Sequence, residues 1–196
     1  RVPHRMEPEL GPVVPGRAED GTPLPLPEPG GVLEEPLHAT SLSQHVVLIG
    51  YGRVGSVVAA ELTRQKIPFV LVEDAEGRVE IARAAGIEVI VGNAATTEVL
   101  RAANVMGARC VVIAIPNAFE AGQATEQCRK LNAGAKIIAR AHSDEEVAYL
   151  GRLGADHVIM GEREIGLGMI DWLRGEERTT LRRDDADADL PLGAAT

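Results

Sequence analysis

The sequence predicts an α/β protein built on a doubly wound parallel sheet of six strands, and two observations support this prediction. Between residues 45 and 174, short β-branched runs alternate with Ala-rich amphipathic segments, which is the pattern of parallel strands joined by crossover helices. Most of the apolar runs lack strict polar alternation, as expected for strands whose two faces are both covered by helices. We therefore expect a single sheet with helices on both sides.

The predicted elements alternate in a regular order along this region. The strands are expected at residues 45–49, 69–72, 88–91, 110–115, 136–140 and 157–159. The helices are expected near residues 54–66, 76–85, 96–103, 117–132, 144–152 and 162–174. Four of the helical segments are followed by a glycine, where we expect left-handed C-terminal caps, at Gly86, Gly107, Gly134 and Gly154.

The two ends of the chain differ in composition from this central region. Nine of the twelve prolines precede residue 45, so residues 1–44 are predicted to form a Pro-rich, disordered linker. Residues 175–196 carry three Arg against six acidic residues and lack periodicity, which predicts an acidic disordered tail. The domain between them, residues 45–174, holds 14 basic and 16 acidic residues. This near-neutral balance argues against nucleic-acid binding.

Other classes of protein are also disfavoured. No apolar stretch approaches the roughly 18 residues that a membrane span needs, and no signal peptide opens the chain. The first residue is Arg1 and not Met, as expected for a piece of a longer protein, so these features say little about the parent. No Cys or His cluster has metal-ligand spacing, and we predict no metal site.

A glycine-rich segment carries the functional prediction. The run Gly50-Tyr-Gly-Arg-Val-Gly55 directly follows a predicted strand and opens a helix, which is the context that a nucleotide-binding GxGxxG turn requires. Glycine at these positions permits a tight turn, a close approach of phosphate and close packing of helix on strand, and the helix N-terminus favours an anion. A purely structural glycine turn is the alternative. The predicted Rossmann-type phosphate site comprises Gly50, Tyr51, Gly52, Arg53, Val54 and Gly55.

Two acidic residues follow the second predicted strand. Glu73 lies 23 residues after Gly50, where a carboxylate can accept both ribose hydroxyls of an adenosine. Glu73 and Asp74 would repel a 2′-phosphate, so NADP is disfavoured. An acid at this place can instead cap the following helix, and this is the role that we expect for Asp74.

Residues after the third and fourth strands are expected to complete the crevice. The turn after the third strand, which contains Asn93 and Ala94, can present a backbone N–H and the Asn93 side chain to the adenine edge, although Asn93 can also cap the next helix. Arg53 and Arg140 are candidate phosphate ligands or ordinary surface arginines, and Arg78 is a weaker candidate. The fourth strand contributes Ile115, Pro116 and Asn117.

No catalytic residues are predicted. His142 follows Arg140 on the rim, but the sequence places no carboxylate or thiol clearly beside it. A nicotinamide-dependent dehydrogenase also needs a substrate domain, for which these segments leave no room. The sequence therefore predicts binding without catalysis.

From residue 45 to about residue 172 the chain resembles the nucleotide-binding RCK or KTN (TrkA-N type) regulatory domains of potassium channels and transporters. It is most similar to the cytoplasmic C-terminal domain of Kef-type and YbaL-type cation:proton antiporters. Beside the glycine turn, the segments that carry the resemblance are Val91-Gly-Asn-Ala-Ala95, Ile115-Pro-Asn117, Ile138-Ala-Arg-Ala-His142 and Met160-Gly-Glu-Arg-Glu-Ile165.

The resemblance implies a dimeric regulatory domain that binds AMP or NAD(H) and gates cation efflux by an attached membrane domain upstream in the same polypeptide. The parent protein would then lie in the bacterial inner membrane with this soluble domain on the cytoplasmic side. By resemblance, Gly50, Gly52 and Gly55 contact phosphate, Glu73 contacts ribose and Arg140 lies near the phosphates.

The last predicted helix has an apolar stripe, formed by Ile165, Met169, Trp172 and Leu173 at helical spacing. In the family that the chain resembles, the equivalent helix crosses to a partner subunit, so we expect a homodimer; packing on its own domain is the alternative.

Two other functions stay open, namely a fragment of an NAD-dependent dehydrogenase and a stand-alone soluble regulator of potassium transport. A membrane domain upstream of Arg1 would identify the antiporter, whereas a globular catalytic domain there would exclude it.

Overall fold

The computed structural model describes residues 37–175 as one Rossmann-like α/β unit. The six strands are β1 (Val46–Ile49), β2 (Phe69–Glu73), β3 (Val89–Val91), β4 (Cys110–Ile113), β5 (Lys136–Ala141) and β6 (His157–Met160). The helices are α1 (Arg53–Arg64), α2 (Glu76–Ala84), α3 (Thr97–Ala102), α4 (Ala118–Leu131), α5 (Asp144–Arg152) and α6 (Gly161–Arg174). A short 3-10 helix, Val105–Gly107, precedes β4.

The sheet is parallel throughout and has the order β3-β2-β1-β4-β5-β6. β1 therefore lies at the centre, with Ile49 aligned to Val72 of β2 on one side and to Ile113 of β4 on the other. Strands β2 and β3 are added on one side of β1, and strands β4 to β6 on the other, so the strand order reverses at β1. In such sheets ligands bind beyond the carboxyl ends of the strands at this switch point. The predicted fold is confirmed.

Alternate residues of the central strands point to opposite faces of the sheet, and both faces are buried. Leu48 and Leu71 pack with Ala59 of α1 and Ala82 of α2. On the opposite face, Val47 packs among residues of α3, α4 and α5. Because both faces are covered by helices, strand residues are apolar without alternation, as the sequence predicts.

The last residues of the predicted linker contact the domain. The backbone N–H of Thr40 donates to the carbonyl of Ala102 over 2.8 Å, and that of Gln44 donates to Gly107 over 2.7 Å. Ordered contacts thus begin before the predicted boundary at residue 44. The rest of the predicted linker, residues 1–36, and all but the first residue of the predicted tail, residues 176–196, lie outside the described residues.

Two of the four predicted glycine caps are left-handed. Gly86 and Gly154 have φ values of +75° and +107° and follow α2 and α5. The prediction is wrong for Gly107 and Gly134, because an asparagine forms each of these turns. Asn104 itself adopts the left-handed conformation and accepts from the N–H of Gly107, and the side chain of Asn132 ends α4.

α6 differs from the other helices because none of its residues is buried. It follows β6, the strand at one edge of the sheet. Within residues 37–175, no helix combines the length and the apolar character that a membrane span requires.

Candidate functional site

The glycine turn connects β1 to α1 at the centre of the sheet. Gly50 has a φ of +94°, which favours glycine, and its N–H donates to the carbonyl of Val72 over 2.9 Å. A side chain at Gly55 would place its Cβ 1.9 Å from the carbonyl oxygen of Gly50, so only glycine permits this packing of α1 against the turn. The predicted conformational reasons for these two glycines agree with the structure.

Gly52 leaves the start of α1 open. It is the N-cap residue of α1, and no side chain caps that helix, so its first backbone N–H groups are available to an anion. Within residues 37–175, and apart from its neighbours in the chain, a Cβ added at Gly52 would contact only the Nη1 atom of Arg78, at 3.8 Å. The turn therefore presents helix-terminal amides with no side chain of its own at Gly52 and with the Arg78 guanidinium close by.

Glu73 is a buried carboxylate at the end of β2, with 5% of its surface exposed. One oxygen accepts a hydrogen bond from the N–H of Tyr51 over 2.7 Å. The other accepts from the N–H groups of Asp74 and Ala75, over 3.1 and 3.0 Å. Burial by itself raises the pKa of this carboxyl, but the N–H groups of Ala75 and Tyr51, the Arg78 guanidinium and the N–H of Asp74 outweigh it and lower the pKa below its ordinary value of 4.5. Glu73 is consequently ionised at neutral pH.

Arg78 extends from α2 toward both features. Its Nε lies 3.4 Å from an oxygen of Glu73, and its side chain is 46% exposed. Its guanidinium also lies over Gly52, as described above. Arg78 therefore lies between Glu73 and the glycine turn. The sequence analysis treated Arg78 as the weakest of three candidate phosphate ligands and did not predict this position.

Two predicted capping roles are wrong. α2 has Ala75 as its N-cap residue and no side-chain cap, so Asp74 does not cap it. The carboxylate of Glu73 accepts from the N–H groups of Asp74 and Ala75, just ahead of the helix. The side chain of Asn93 does not cap α3, whose N-cap residue is Thr96. Asn93 instead accepts from the N–H of Ala95 over 2.7 Å and shapes the turn after β3.

These residues surround one cleft at the carboxyl end of the sheet, which we call the glycine-turn cleft. It is bounded by the ends of β1, β2, β3 and β4, and nine of the predicted site residues line it: Gly50, Gly52, Glu73, Asp74, Arg78, Asn93, Ala94, Ile115 and Pro116. The remaining lining residues, which sequence reasoning missed, are Ile49, Val72, Gly92, Ala95, Ala114 and Glu120.

Gly92 and Glu120 differ in how far the sequence could reveal them. Gly92 has a φ of +150°, and a Cβ there would lie 2.6 Å from Val99, so a glycine in the turn after β3 was a detectable signal. Glu120 lies in the first turn of α4. Acidic residues are common in the first turn of a helix because they interact favourably with the helix dipole. The sequence therefore offered no reason to select Glu120 as a site residue.

The other predicted site residues lie outside the lining of the cleft. Tyr51 contributes its N–H to Glu73, Gly55 packs beneath the turn, and Arg53 and Val54 are exposed on α1. Asn117 caps α4 by accepting from the N–H groups of Phe119 and Glu120, over 2.9 and 3.1 Å.

Arg140, near the carboxyl end of β5, contacts His142. Its Nη2 lies 3.1 Å from Nε2 of His142, whose Nδ1 lies 3.4 Å from a carboxylate oxygen of Glu162 in α6. The sequence did not predict this pairing of His142 with a carboxylate. Both members of the pair are exposed and neither lines the cleft, so the pairing provides no acid–base group at the predicted nucleotide site.

The apolar stripe of α6 is exposed in the single chain. The exposed fractions of Ile165, Met169, Trp172 and Leu173 are 62%, 65%, 71% and 72%. Packing of this stripe on its own domain, which was the alternative to a partner, is therefore not observed.

Three comparisons with known proteins agree on the family. The family model described as the TrkA-N domain matches residues 46–161. The chain is 41% identical, over 140 residues, to the putative cation/proton antiporter YbaL of Escherichia coli (strain K12), covering 71% of this chain and 25% of that protein. The chain thus spans about a quarter of the length of this curated relative.

Solved structures give the same answer. The crystal structure of the TrkA-N domain of the inner membrane protein YbaL from Escherichia coli superimposes with a TM-score of 0.66 at 41% identity, covering 68% of this chain and 99% of that chain. The Shewanella denitrificans Kef C-terminal domain in its AMP-bound form has a TM-score of 0.56 at 26% identity, covering 68% of this chain and 82% of that chain. The chain belongs to the TrkA-N domain family.

Proposed function

We propose that this domain is a regulatory, non-catalytic nucleotide sensor that binds AMP or NAD(H) in the glycine-turn cleft. The observation that carries the proposal is the position of the ionised Glu73 beside an uncapped helix N-terminus at the switch point of the sheet. A carboxylate there accepts ribose hydroxyls, while the α1 amides bind phosphate. The AMP-bound Kef domain, 26% identical, supports an adenosine ligand.

We place the adenosine over β2 and β3 and the phosphate over β1. Asn93 and Ala94 then face the adenine, and Arg78 is the cation nearest to the phosphate because it already lies over Gly52. Arg140 is held by His142 and would need to change partner to reach a ligand. The carboxylates of Glu73 and Asp74 disfavour a 2′-phosphate and hence NADP.

The regulated activity in this proposal is cation/proton antiport by a membrane domain of the same polypeptide, on the cytoplasmic face of the bacterial inner membrane. The 41% identity to a cation/proton antiporter supports this role. The exposed stripe of α6 supports assembly with a second copy, since four large apolar side chains in a row are costly to leave in water. Ligand binding would favour one arrangement of the dimer and so bias transport.

The test of the proposal is calorimetric titration of the 196-residue chain with AMP, NAD+, NADH and NADPH, together with nucleotide analysis of an extract of the denatured protein. A ligand at 100 times its dissociation constant should also stabilise the fold by about 2.7 kcal/mol. Binding of AMP or NAD(H) but not NADPH supports the proposal. An empty extract combined with no binding of any of these nucleotides would refute it.

Gly52→Ala is the most discriminating variant. Within residues 37–175 the added methyl group meets no backbone atom within 4 Å beyond its chain neighbours, so the fold should persist. Glycine at this place lets phosphate approach the backbone closely, so the methyl group should weaken binding at least about tenfold. Gly77→Ala, on the exposed side of α2 with nothing within 4 Å of the new Cβ, is the matched control and should bind normally. In the full-length transporter, Gly52→Ala is expected to abolish the nucleotide dependence of cation/proton exchange.

A further inference from the structure

Glu120 is a charged residue of the glycine-turn cleft that adenosine binding does not explain. It lies in the first turn of α4, on the β4 side of the cleft with Ile115 and Pro116. Its backbone N–H is held by Asn117, but among residues 37–175 its exposed carboxylate has no hydrogen bond or ion pair. A free carboxylate in a phosphate-binding cleft must influence which anions enter.

The sheet order places Glu120 beyond the first phosphate. β3, β2, β1 and β4 are consecutive in the sheet, so adenosine over β3 and β2 and a phosphate over β1 leave β4 for whatever follows that phosphate. The group that extends past the α-phosphate therefore approaches the wall that carries Glu120. In ADP and ATP that group ends in a doubly ionised terminal phosphate, whereas the second phosphate of NAD(H) is a diester with a single negative charge.

We infer that Glu120 makes this cleft select a nucleoside monophosphate over the corresponding di- and triphosphates. The inference rests on the proposed function, since it names the ligand class of the same site. Asp74 adds a second negative charge on the β2 side, and the positive charge of Arg78 is already shared with Glu73. No cation of the cleft lining remains beside Glu120 to compensate for additional phosphates.

The test is a comparison of AMP, ADP and ATP binding to the wild-type chain and to Glu120→Gln, by calorimetry at low ionic strength in the presence of EDTA. Glutamine keeps the size of the side chain and the N–H bond to Asn117 while removing the charge. We expect the ratio of the ATP to the AMP dissociation constant to fall by roughly two- to fivefold in Glu120→Gln. The change should shrink at about 0.5 M salt, where charges are screened within a few ångströms.

Glu126→Gln is the matched control, because Glu126 lies on the same helix, loses the same charge and pairs with Lys130 away from the cleft. It should leave the ratio unchanged. If AMP binds and the ratio is the same in Glu120→Gln as in the wild type, the inference is wrong while the proposed function stands. If neither AMP nor NAD(H) binds the wild type, both fail.

Discussion

The carboxylate of Glu73 accepts a hydrogen bond from the backbone N–H of Tyr51 over 2.7 Å and thereby connects the end of β2 to the glycine turn. The shape of the glycine turn therefore depends on this ionised side chain as well as on its glycines. The same carboxylate accepts from Asp74 and Ala75 at the start of α2. Glu73 therefore orders the site before any ligand arrives, and ribose hydroxyls would add to contacts that already exist.

Glu73→Gln is expected to lower the free energy of unfolding by about 1–3 kcal/mol at neutral pH, because an amide cannot accept all three N–H bonds. The pKa of Glu73 is lowered in the folded state, so its stabilising effect is complete above the ordinary value of 4.5 and is lost as the pH falls through the lowered folded-state value. The difference in stability between wild type and variant should therefore shrink on acidification. Denaturant unfolding of wild type and Glu73→Gln at a series of pH values, from neutral to acidic, measures this difference.

Glu80→Gln provides the control for this pH dependence. Glu80 is an exposed residue of α2, and its replacement removes the same charge without touching the turn. Its effect on stability should be small at every pH. A gap between wild type and Glu73→Gln that persists unchanged in acid would show that the loss does not come from the ionised carboxylate.

The comparison of sequence and structure explains why the fold was the easier prediction. Strand and helix positions follow from local apolar patterns, and each predicted strand lies within two residues of an observed one at both ends. The glycine turn was equally predictable, since Gly50 and Gly55 obey local conformational and packing constraints. Nine of the predicted site residues line the cleft because strand ends in a parallel sheet share one edge.

The sequence was less informative about side chains whose partners depend on the folded backbone. Arg140 was a candidate phosphate ligand, a role that stays a prediction, and the sequence could not show that His142 holds its guanidinium. Asp74 and Glu73 are adjacent acids, and only backbone geometry decides which of them accepts from the N–H groups just ahead of α2. Glu120 could not be predicted from the sequence, because its position in the cleft depends on the orientation of α4 relative to β4.

Asn132→Ala is expected to destabilise the domain by about 1–3 kcal/mol. The Nδ2 of Asn132 lies within 3.1 Å of the carbonyl oxygens of Val105, Met106 and Ala108, and its Oδ1 accepts from Gly134 and Ala135. Alanine removes all of these hydrogen bonds, although the carbonyl of Val105 keeps the N–H of Ala108 as a donor. The free energy of unfolding in urea measures the loss.

Asn117→Ala is the natural comparison, because Asn117 caps the opposite end of α4 through two N–H groups only. We expect it to cost about 1 kcal/mol, the usual value for an N-cap. Equal losses for the two variants would mean that the contacts of Asn132 with the segment before β4 contribute nothing beyond ending the helix.

The intrinsic fluorescence of Trp172 should report assembly through α6. Trp172 is the only tryptophan in the chain and is 71% exposed, so a monomer should emit at long wavelength. If the stripe packs against a second copy, the emission should shift to shorter wavelength as the protein is concentrated, in parallel with the mass measured by sedimentation.

Met169→Lys should abolish this shift and weaken association about tenfold or more, since burying an unpaired ammonium costs over about 1.4 kcal/mol. Met106→Lys is the matched control, because Met106 and Met169 are both 65% exposed and only Met169 belongs to the stripe. Neither variant should alter the stability of the monomer. Loss of association in both variants, or in neither, would place the dimer interface elsewhere than on α6.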